Sequence, residues 1–157
     1  YTGWYTLSLH DALPILWARS SGAASSTLPA ELLRDASPAM VKATAYLVRR
    51  KTVSVSTEAL ERLALTAPAP HVSRAALRLL LTRGKWTRLR WALWSLEDPH
   101  RPEHTSAPQH LRSWGVRAAH PSAPPSEAER SEIQRLLSKA ELPAELVRLI
   151  EFHLSDG

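Results

Sequence analysis

The short string with the clearest catalytic spacing is HRPEH, residues 100–104. Two histidines and a glutamate at this spacing hold and activate zinc when both imidazoles project from one face of a continuous helix and the glutamate acts as general base. Pro102 argues against this site, because proline is tolerated in the first turn of a helix and disrupts its interior. We therefore predict a solvated turn at this place, with no metal and no cofactor.

A second string, RGKWTRLRWALW (83–94), interleaves basic and aromatic residues. Cations beside aromatic rings can hold phosphates and stack bases. Helical periodicity places Trp86 on one apolar stripe and Trp91 and Trp94 on the opposite side. Two interpretations remain open: a central helix that packs on two apolar faces, or a binding surface formed by Arg88, Trp91 and Trp94.

The composition limits the other kinds of chemistry. The chain has no cysteine, which excludes a disulfide framework and thiolate metal sites. The histidines lie mostly in proline-rich stretches, and no Ser-His-Asp arrangement can be argued from their positions. The net charge is +5 and is carried mainly by arginine. Such a charge favours acidic proteins, nucleic acid or anionic lipid, although a GC-rich bacterial genome also produces an Arg-, Ala- and Pro-rich composition.

The first residues of the chain differ in character from the rest. The segment YTLSLHDALPI (5–15) resembles the conceptual translation of a short-read sequencing adapter, and the chain begins at Tyr1. It lacks the basic start and uninterrupted apolar run of a secretory signal, and it is too short to span a bilayer. We assign no function to residues 1–16, expect a cytoplasmic protein, and interpret the remainder as a fragment of a longer protein.

The middle of the chain contains an internal repeat. Pro38 and Pro70 head two similar segments, SPAMVKATAYLVRR and APHVSRAALRLLLTR, with a step of 32 residues, and the same step leads on to Pro102. In this register each proline begins a helix, and Pro108 falls in the interior of the third helix, where it shortens or kinks it.

Each repeat carries an amphipathic helix, with basic residues opposite its apolar face. The predicted core positions are Met40, Ala43, Thr44, Leu47 and Val48 in the first copy, and Val72, Ala75, Ala76, Leu79 and Leu80 in the second. The basic residues on the opposite side are Lys42, Arg49, Arg74 and Arg78.

A second series of helices alternates with the first. One follows Ser56 and places Leu60, Leu63 and Ala64 on one side; the next follows Gly84 and aligns Trp86, Leu89, Leu93 and Leu96. Near the end, Ser126 and Glu129 can form a capping box before a helix with Ile133, Leu136, Leu137 and Ala140 on one face. A last helix opens at Pro143 and carries Leu146, Leu149, Ile150 and Leu154.

This alternation resembles the HEAT-repeat family, most visibly in ELLRDASPAMVKATAYL and ERLALTAPAPHVSRAALRLLL. The resemblance implies an all-α fold, a right-handed α-solenoid of helical hairpins closed by a C-terminal helical cap. The expected organisation is a non-native leader (1–26), HEAT-like repeats (27–114), a proline-rich linker (115–125) and a helical hairpin cap (126–157).

The resemblance also implies a class of function. HEAT arrays are scaffolds, so we expect a non-catalytic protein that binds an acidic protein partner, with no membrane and no small-molecule substrate. The expected contact residues are Lys42, Arg49, Arg74, Arg78, Arg88, Trp91 and Trp94. The alternative is nucleic-acid binding through a basic concave surface, as in the DNA glycosylases built from HEAT-like repeats, whose catalytic residues find no match in this chain.

Overall fold

The computed structural model describes residues 30, 33–34, 37–119 and 122–155. The adapter-like segment (5–15), the leader (1–26) and most of residues 27–36 lie outside the described part of the chain. The described chain is all-helical and contains no strand, which confirms the all-α prediction. Its helices are α1 (Pro38–Arg49), α2 (Thr57–Thr66), α3 (Pro70–Leu80), α4 (Lys85–Leu96), α5 (Ala107–Arg117), α6 (Glu127–Leu137) and α7 (Ala144–Ser155). No described helix has the length and apolar character needed to cross a membrane.

The chain divides into two compact units, Tyr1–Leu79 and Leu80–Gly157. We call them the first and the second unit. In the first unit, α2 and α3 are joined where the Ser73 hydroxyl donates to the Ala64 carbonyl oxygen at 2.6 Å. In the second unit, α4 packs against both α5 and α6, and α5 contacts α7. Helix α4 is therefore the central helix of the second unit.

Most helix starts lie where local chemistry predicts them. Pro38 and Pro70 are the first residues of α1 and α3. The Ser56 side chain accepts a hydrogen bond from the Ala59 amide at the start of α2. The predicted capping box before α6 is complete, because Ser126 and Glu129 each accept from the other's backbone amide. Both caps satisfy amide groups that the first helical turn leaves without intrahelical partners.

The third copy of the repeat does not follow the predicted register. Pro102 lies in a turn, and α5 begins five residues later at Ala107, with Pro108 in its first turn. The prediction that Pro108 interrupts a helix is therefore wrong: at this position proline costs no intrahelical hydrogen bond. The helix also runs through Gly115 to Arg117, so the first residues assigned to the 115–125 linker are helical.

The predicted apolar faces form the core. In α2 and α6 the buried residues are Leu60, Leu63 and Ala64, and Ile133, Leu136 and Leu137, as the periodicity indicates. Val41 and Leu77 are also buried, at 3% and 0% exposure, although neither was assigned to a core face. Burying a leucine side chain contributes about 1.5–3 kcal/mol, so these faces supply the main driving force for folding.

Candidate functional site

The basic residues predicted on the first unit are at the surface. Lys42 and Arg49 on α1 and Arg74 and Arg78 on α3 are all exposed. Lys42 and Arg74 occupy the same register, each four residues after the proline that begins its helix. The structure thus places a basic side chain on the solvent side of α1 and of α3, at the same distance from the first residue of each helix.

The aromatic part of the predicted surface has a different environment. Trp91 is only 5% exposed and lies edge-on to Trp94, with ring centroids 5.1 Å apart. Buried residues lie all around α4, which supports the interpretation of this helix as a central one that packs on two faces. Trp91 is therefore a core residue in this chain and offers no face on which a base could stack.

Trp94 is half-buried, and its ring is in contact with a cation from the same unit. The Arg101 guanidinium carbon lies 4.2 Å from the Trp94 ring centroid, and its Nη1 donates to the Trp94 carbonyl oxygen at 2.7 Å. A guanidinium over an indole is stabilised by the ring quadrupole. Arg101 thus covers the ring that the sequence suggested as a binding platform.

The same arginine belongs to a charge network centred on Glu97, at the end of α4. Glu97 accepts from Arg101 at 2.7 Å, from Lys139 at 3.1 Å and from Arg135 at 3.3 Å. These hydrogen bonds, chiefly those from Arg101 and then Lys139, lower the pKa of Glu97 from 4.5 to about 2. Arg135 also pairs with Glu132 at 2.8 Å. The network joins the end of α4 and the following turn to α6.

The HRPEH string forms part of this turn. The His100 amide donates to the Asp98 carboxylate at 2.8 Å, and Nδ1 of His104 lies 3.0 Å from the Ser95 carbonyl oxygen. His100 is exposed, whereas His104 is partly buried against α4. Within the described residues, no three His, Cys, Asp or Glu side chains are grouped so that they could hold a metal ion.

A second polar cluster, around Lys85, was not predicted. The Lys85 ammonium donates to the Ala118 carbonyl oxygen at 2.6 Å and lies 4.8 and 5.7 Å from the ring centroids of Trp86 and Trp114. In return, the Trp114 indole donates to the Lys85 carbonyl oxygen at 3.0 Å. Burial lowers the pKa of Lys85. We call Lys85, Trp86 and Trp114 the Lys85 cluster.

The Lys85 cluster also anchors the proline-rich segment that follows α5. The Trp86 indole donates to the Ala123 carbonyl oxygen at 2.8 Å, and Pro125 is buried. Lys85 donates to the carbonyl oxygen of Ala118, the C-cap residue of α5, where the helix dipole favours a cation. The partners are 29 to 37 residues apart, so no local sequence signal could have paired them.

Two concave surfaces accompany these clusters. In the first unit, a cavity of about 320 Å³ is lined by apolar residues, among them Leu63 and Val72, and by Arg34 and Arg62. In the second unit, a groove of about 540 Å³ lies beside α6 and α7. There, Arg130 Nη1 donates to the Leu154 carbonyl oxygen and joins the two helices.

Among the described residues, more basic than acidic side chains are exposed, and the tryptophans are largely used in packing. Comparison with protein-family models, with curated protein sequences and with solved structures finds no match to this chain.

Proposed function

We propose that this chain is a non-catalytic scaffold of HEAT-like helical hairpins, arranged as a right-handed solenoid, that binds an acidic protein in the bacterial cytoplasm. The observation that carries the proposal is the exposure of Lys42 and Arg74 at the same register of α1 and α3. Arg49 and Arg78 add exposed charge to the same two helices.

Stacking explains why such residues would act together. In a solenoid, equivalent positions of successive hairpins come side by side, so a basic residue repeated in one register makes a row. A row of cations attracts an acidic surface, accelerates its diffusional encounter and disfavours basic partners. The alternation of proline-headed helices with a second series supports this arrangement.

Nucleic acid is the alternative partner, and the net charge of +5 and sequence pI of about 10.1 favour it. The two partners differ in their salt dependence. A protein that neutralises several backbone phosphates loses affinity steeply as salt rises, because binding releases condensed counterions. An acidic protein surface has a lower charge density than duplex DNA, so its affinity falls less steeply with salt.

The test is charge reversal on the full chain. The variant Lys42→Glu/Arg49→Glu/Arg74→Glu leaves Arg78 intact, because Arg78 also interacts with another residue of the chain. A matched control, Arg62→Glu/Arg112→Glu/Arg148→Glu, reverses three exposed charges elsewhere. We expect the first variant to lose the acidic proteins that the parent retains from bacterial extract, as identified by mass spectrometry, and the control to keep them.

Equal retention by both variants would contradict the proposal. Duplex DNA titrated into the parent at increasing salt separates the alternative: tight binding that falls steeply with salt and is lost in the first variant alone would favour nucleic acid as the partner of this surface.

A further inference from the structure

One exposed face of α1 carries an aromatic ring among cations. Tyr46 is 56% exposed, with Lys42 four residues before it and Arg49 and Arg50 three and four residues after it. These spacings place the four side chains on one face of the helix, and all three cations are exposed. Helix α1 contains no acidic residue, and the described acidic residues of the first unit lie on α2. The charges on this face therefore have one sign.

The Tyr46 ring is oriented by one of these cations and remains open to solvent. The Arg50 guanidinium carbon lies over the ring, 5.8 Å from its centroid, within the range of a cation–π contact. Within the described residues, the side chains of Lys42 and Arg49 make no hydrogen bond or ion pair. Tyrosine and arginine are enriched among the residues that dominate binding energy at protein interfaces. An oriented ring beside cations that are available for pairing has the composition of such an anchor.

The chain leaves α1 through a lysine in a left-handed conformation. Lys51 has a φ of 57°, and the amides of Lys51 and Thr52 donate to the carbonyl oxygens of Val48 and Leu47 at 3.0 and 3.1 Å. This is the Schellman arrangement, in which glycine normally takes the left-handed position because other residues are strained there. The helix dipole accounts for cations at this end of a helix, but not for lysine where glycine is favoured. Strained residues are concentrated at functional sites, and here the lysine adds a third consecutive cation to the end of α1.

The dimensions of this face limit what it can bind. Lys42 and Arg49 are separated by about 10 Å along the helix axis, which is the length of about three residues of an extended peptide. Tyr46 lies between them, and among the described residues of the first unit it is the one exposed aromatic side chain. Proteins that hold single-stranded nucleic acid stack successive bases on several rings. A single ring between cations instead fits a peptide with one aromatic side chain between carboxylates.

We propose that Lys42, Tyr46, Arg49, Arg50 and Lys51 bind a short acidic segment of the partner protein that carries an aromatic side chain between its carboxylates. The aromatic side chain packs on the Tyr46 ring, and the carboxylates pair with the cations on either side of it. This role depends on the proposed function, because it names the part of the acidic partner that α1 contacts. We call these five residues the Tyr46 surface.

Two peptides probe the Tyr46 surface, Glu-Glu-Phe-Glu-Glu and Glu-Glu-Ala-Glu-Glu. Each carries a fluorescent label, and its binding to the full chain is measured by fluorescence anisotropy at low salt. We expect the phenylalanine peptide to bind about fivefold more tightly, because an aromatic pair contributes more than its buried area. Tyr46→Ala suits an exposed helical position and should remove this preference, whereas Tyr46→Phe should keep it. Phe152→Ala is the matched control, since Phe152 is 59% exposed on α7, and it should keep the preference.

Variants of Lys51 separate binding from folding. Lys51→Gly relieves the left-handed strain, so it should raise the Tm of the chain and yet weaken the binding of both peptides about twofold, the effect of losing one exposed charge. Lys51→Ala removes the same charge and keeps the strain, so it should weaken binding equally without raising the Tm. A lysine with a purely structural role would leave the affinity unchanged in both variants, and that result would contradict the proposal.

The aromatic preference decides the rest. A preference for the phenylalanine peptide that survives in Tyr46→Ala, or that disappears in Phe152→Ala, would overturn the proposal. A thymidine oligonucleotide serves as the competing probe. If it bound more tightly than the phenylalanine peptide and lost affinity in Tyr46→Ala, single-stranded nucleic acid would be the occupant of this surface, and the proposal would also be overturned.

The triple charge-reversal variant distinguishes this proposal from the proposed function. If that variant bound both peptides as tightly as the parent, the proposed function itself would fail. If it lost both peptides while Tyr46→Ala kept the preference for phenylalanine, the basic surface would stand and only the role of Tyr46 would be wrong. Loss of both peptides in the charge-reversal variant, together with loss of the preference in Tyr46→Ala, is the result that we expect.

Discussion

The two units are stabilised in different ways. In the first unit, α1 and α2 bury one apolar face each, and a short hydrogen bond from Ser73 to Ala64 joins α2 to α3. In the second unit, the central helix α4 is buried on several sides and is tied to later segments by the Lys85 cluster and the Glu97 network.

The difference shows how aromatic residues with polar atoms organise a helical core. Trp86 and Trp114 bury large rings and also donate indole hydrogen bonds to backbone carbonyls 37 and 29 residues away. These hydrogen bonds restrict how the segments pack as well as burying the rings, because each bond requires a defined distance and angle between donor and acceptor. We expect the second unit to respond more strongly to loss of a single side chain.

The largest expected effect is therefore in the Lys85 cluster. Trp114 is 2% exposed, lies 6.1 Å from Trp86 between ring centroids, and donates to the Lys85 carbonyl oxygen. Trp114→Ala should lower the free energy of unfolding of the second unit by about 3–5 kcal/mol, since it leaves a large cavity. Urea denaturation measures the loss, and hydrogen exchange should rise across α4 to α7.

Leu60→Ala provides the matched comparison in the first unit. Leu60 is fully buried on α2, and its truncation should cost about 3 kcal/mol, with faster exchange in α1 and α2. If Trp114→Ala and Leu60→Ala accelerated amide hydrogen exchange in the same helices, the two units would unfold together. That result would contradict the difference in stability between them.

A smaller, pH-dependent loss of stability is expected on removal of the Glu97 carboxylate. The pKa of Glu97 is lowered from 4.5 to about 2 when the chain folds, so its contribution to stability is complete above pH 4.5 and is lost as the pH falls towards 2. We expect Glu97→Gln to cost about 1 kcal/mol at pH 7, because Arg135 and Lys139 are half-exposed and solvent screens their charges.

Thermal denaturation followed between pH 2 and 7 measures this contribution. The difference in Tm between the parent and Glu97→Gln should shrink as the pH approaches 2. Glu141→Gln, at an exposed carboxylate outside the network, should leave the parent profile unchanged. A Glu97→Gln profile parallel to that of the parent over the whole range would mean that the network does not stabilise the fold.

The smallest expected effect is a gain in stability. Gly115 lies within α5, and a methyl group added there would meet Leu149 Cδ2 at 3.5 Å and Leu146 Cδ1 at 3.6 Å, which are ordinary contacts. Gly115→Ala should stabilise the second unit by about 0.5–1 kcal/mol, because alanine loses less backbone entropy in a helix.

Gly84→Ala is the control for this gain. A methyl group there meets nothing within 4 Å, yet Gly84 is the N-cap of α4, where glycine is favoured over alanine. It should be neutral or destabilising in the same urea experiment. A loss of stability in Gly115→Ala would show that α5 and α7 approach more closely than the structure indicates.

Local features of the fold could be predicted from the sequence because they depend on neighbouring residues. Ser56 and Ser126 cap α2 and α6 where predicted, and the apolar positions of α2 and α6 are buried. The register of α5 could not be predicted, because it is set by tertiary contacts. Arg101 on Trp94 and His104 beside the Ser95 carbonyl hold the preceding residues as a turn, and the helix starts only at Ala107.

The candidate surfaces were predictable to a similar degree. Amphipathic periodicity places Lys42 and Arg74 in solvent, and the structure agrees. Periodicity does not show which side chains from separate helices meet, so it could not pair Lys85 with Trp114 or with the Ala118 carbonyl oxygen. Nor could it decide between packing and binding for Trp91, since both interpretations require the same residue on the same face.

The crowding of indoles around α4 has a spectroscopic consequence. Four of the six tryptophans, Trp86, Trp91, Trp94 and Trp114, lie in the second unit. Their emission should shift to longer wavelength as that unit takes up water, whereas the ellipticity of the backbone sums over every helix. The other two tryptophans, Trp4 and Trp17, lie outside the second unit, so the emission is weighted towards that unit. Emission and ellipticity recorded on one sample therefore compare the unfolding of the second unit with that of all the helices together.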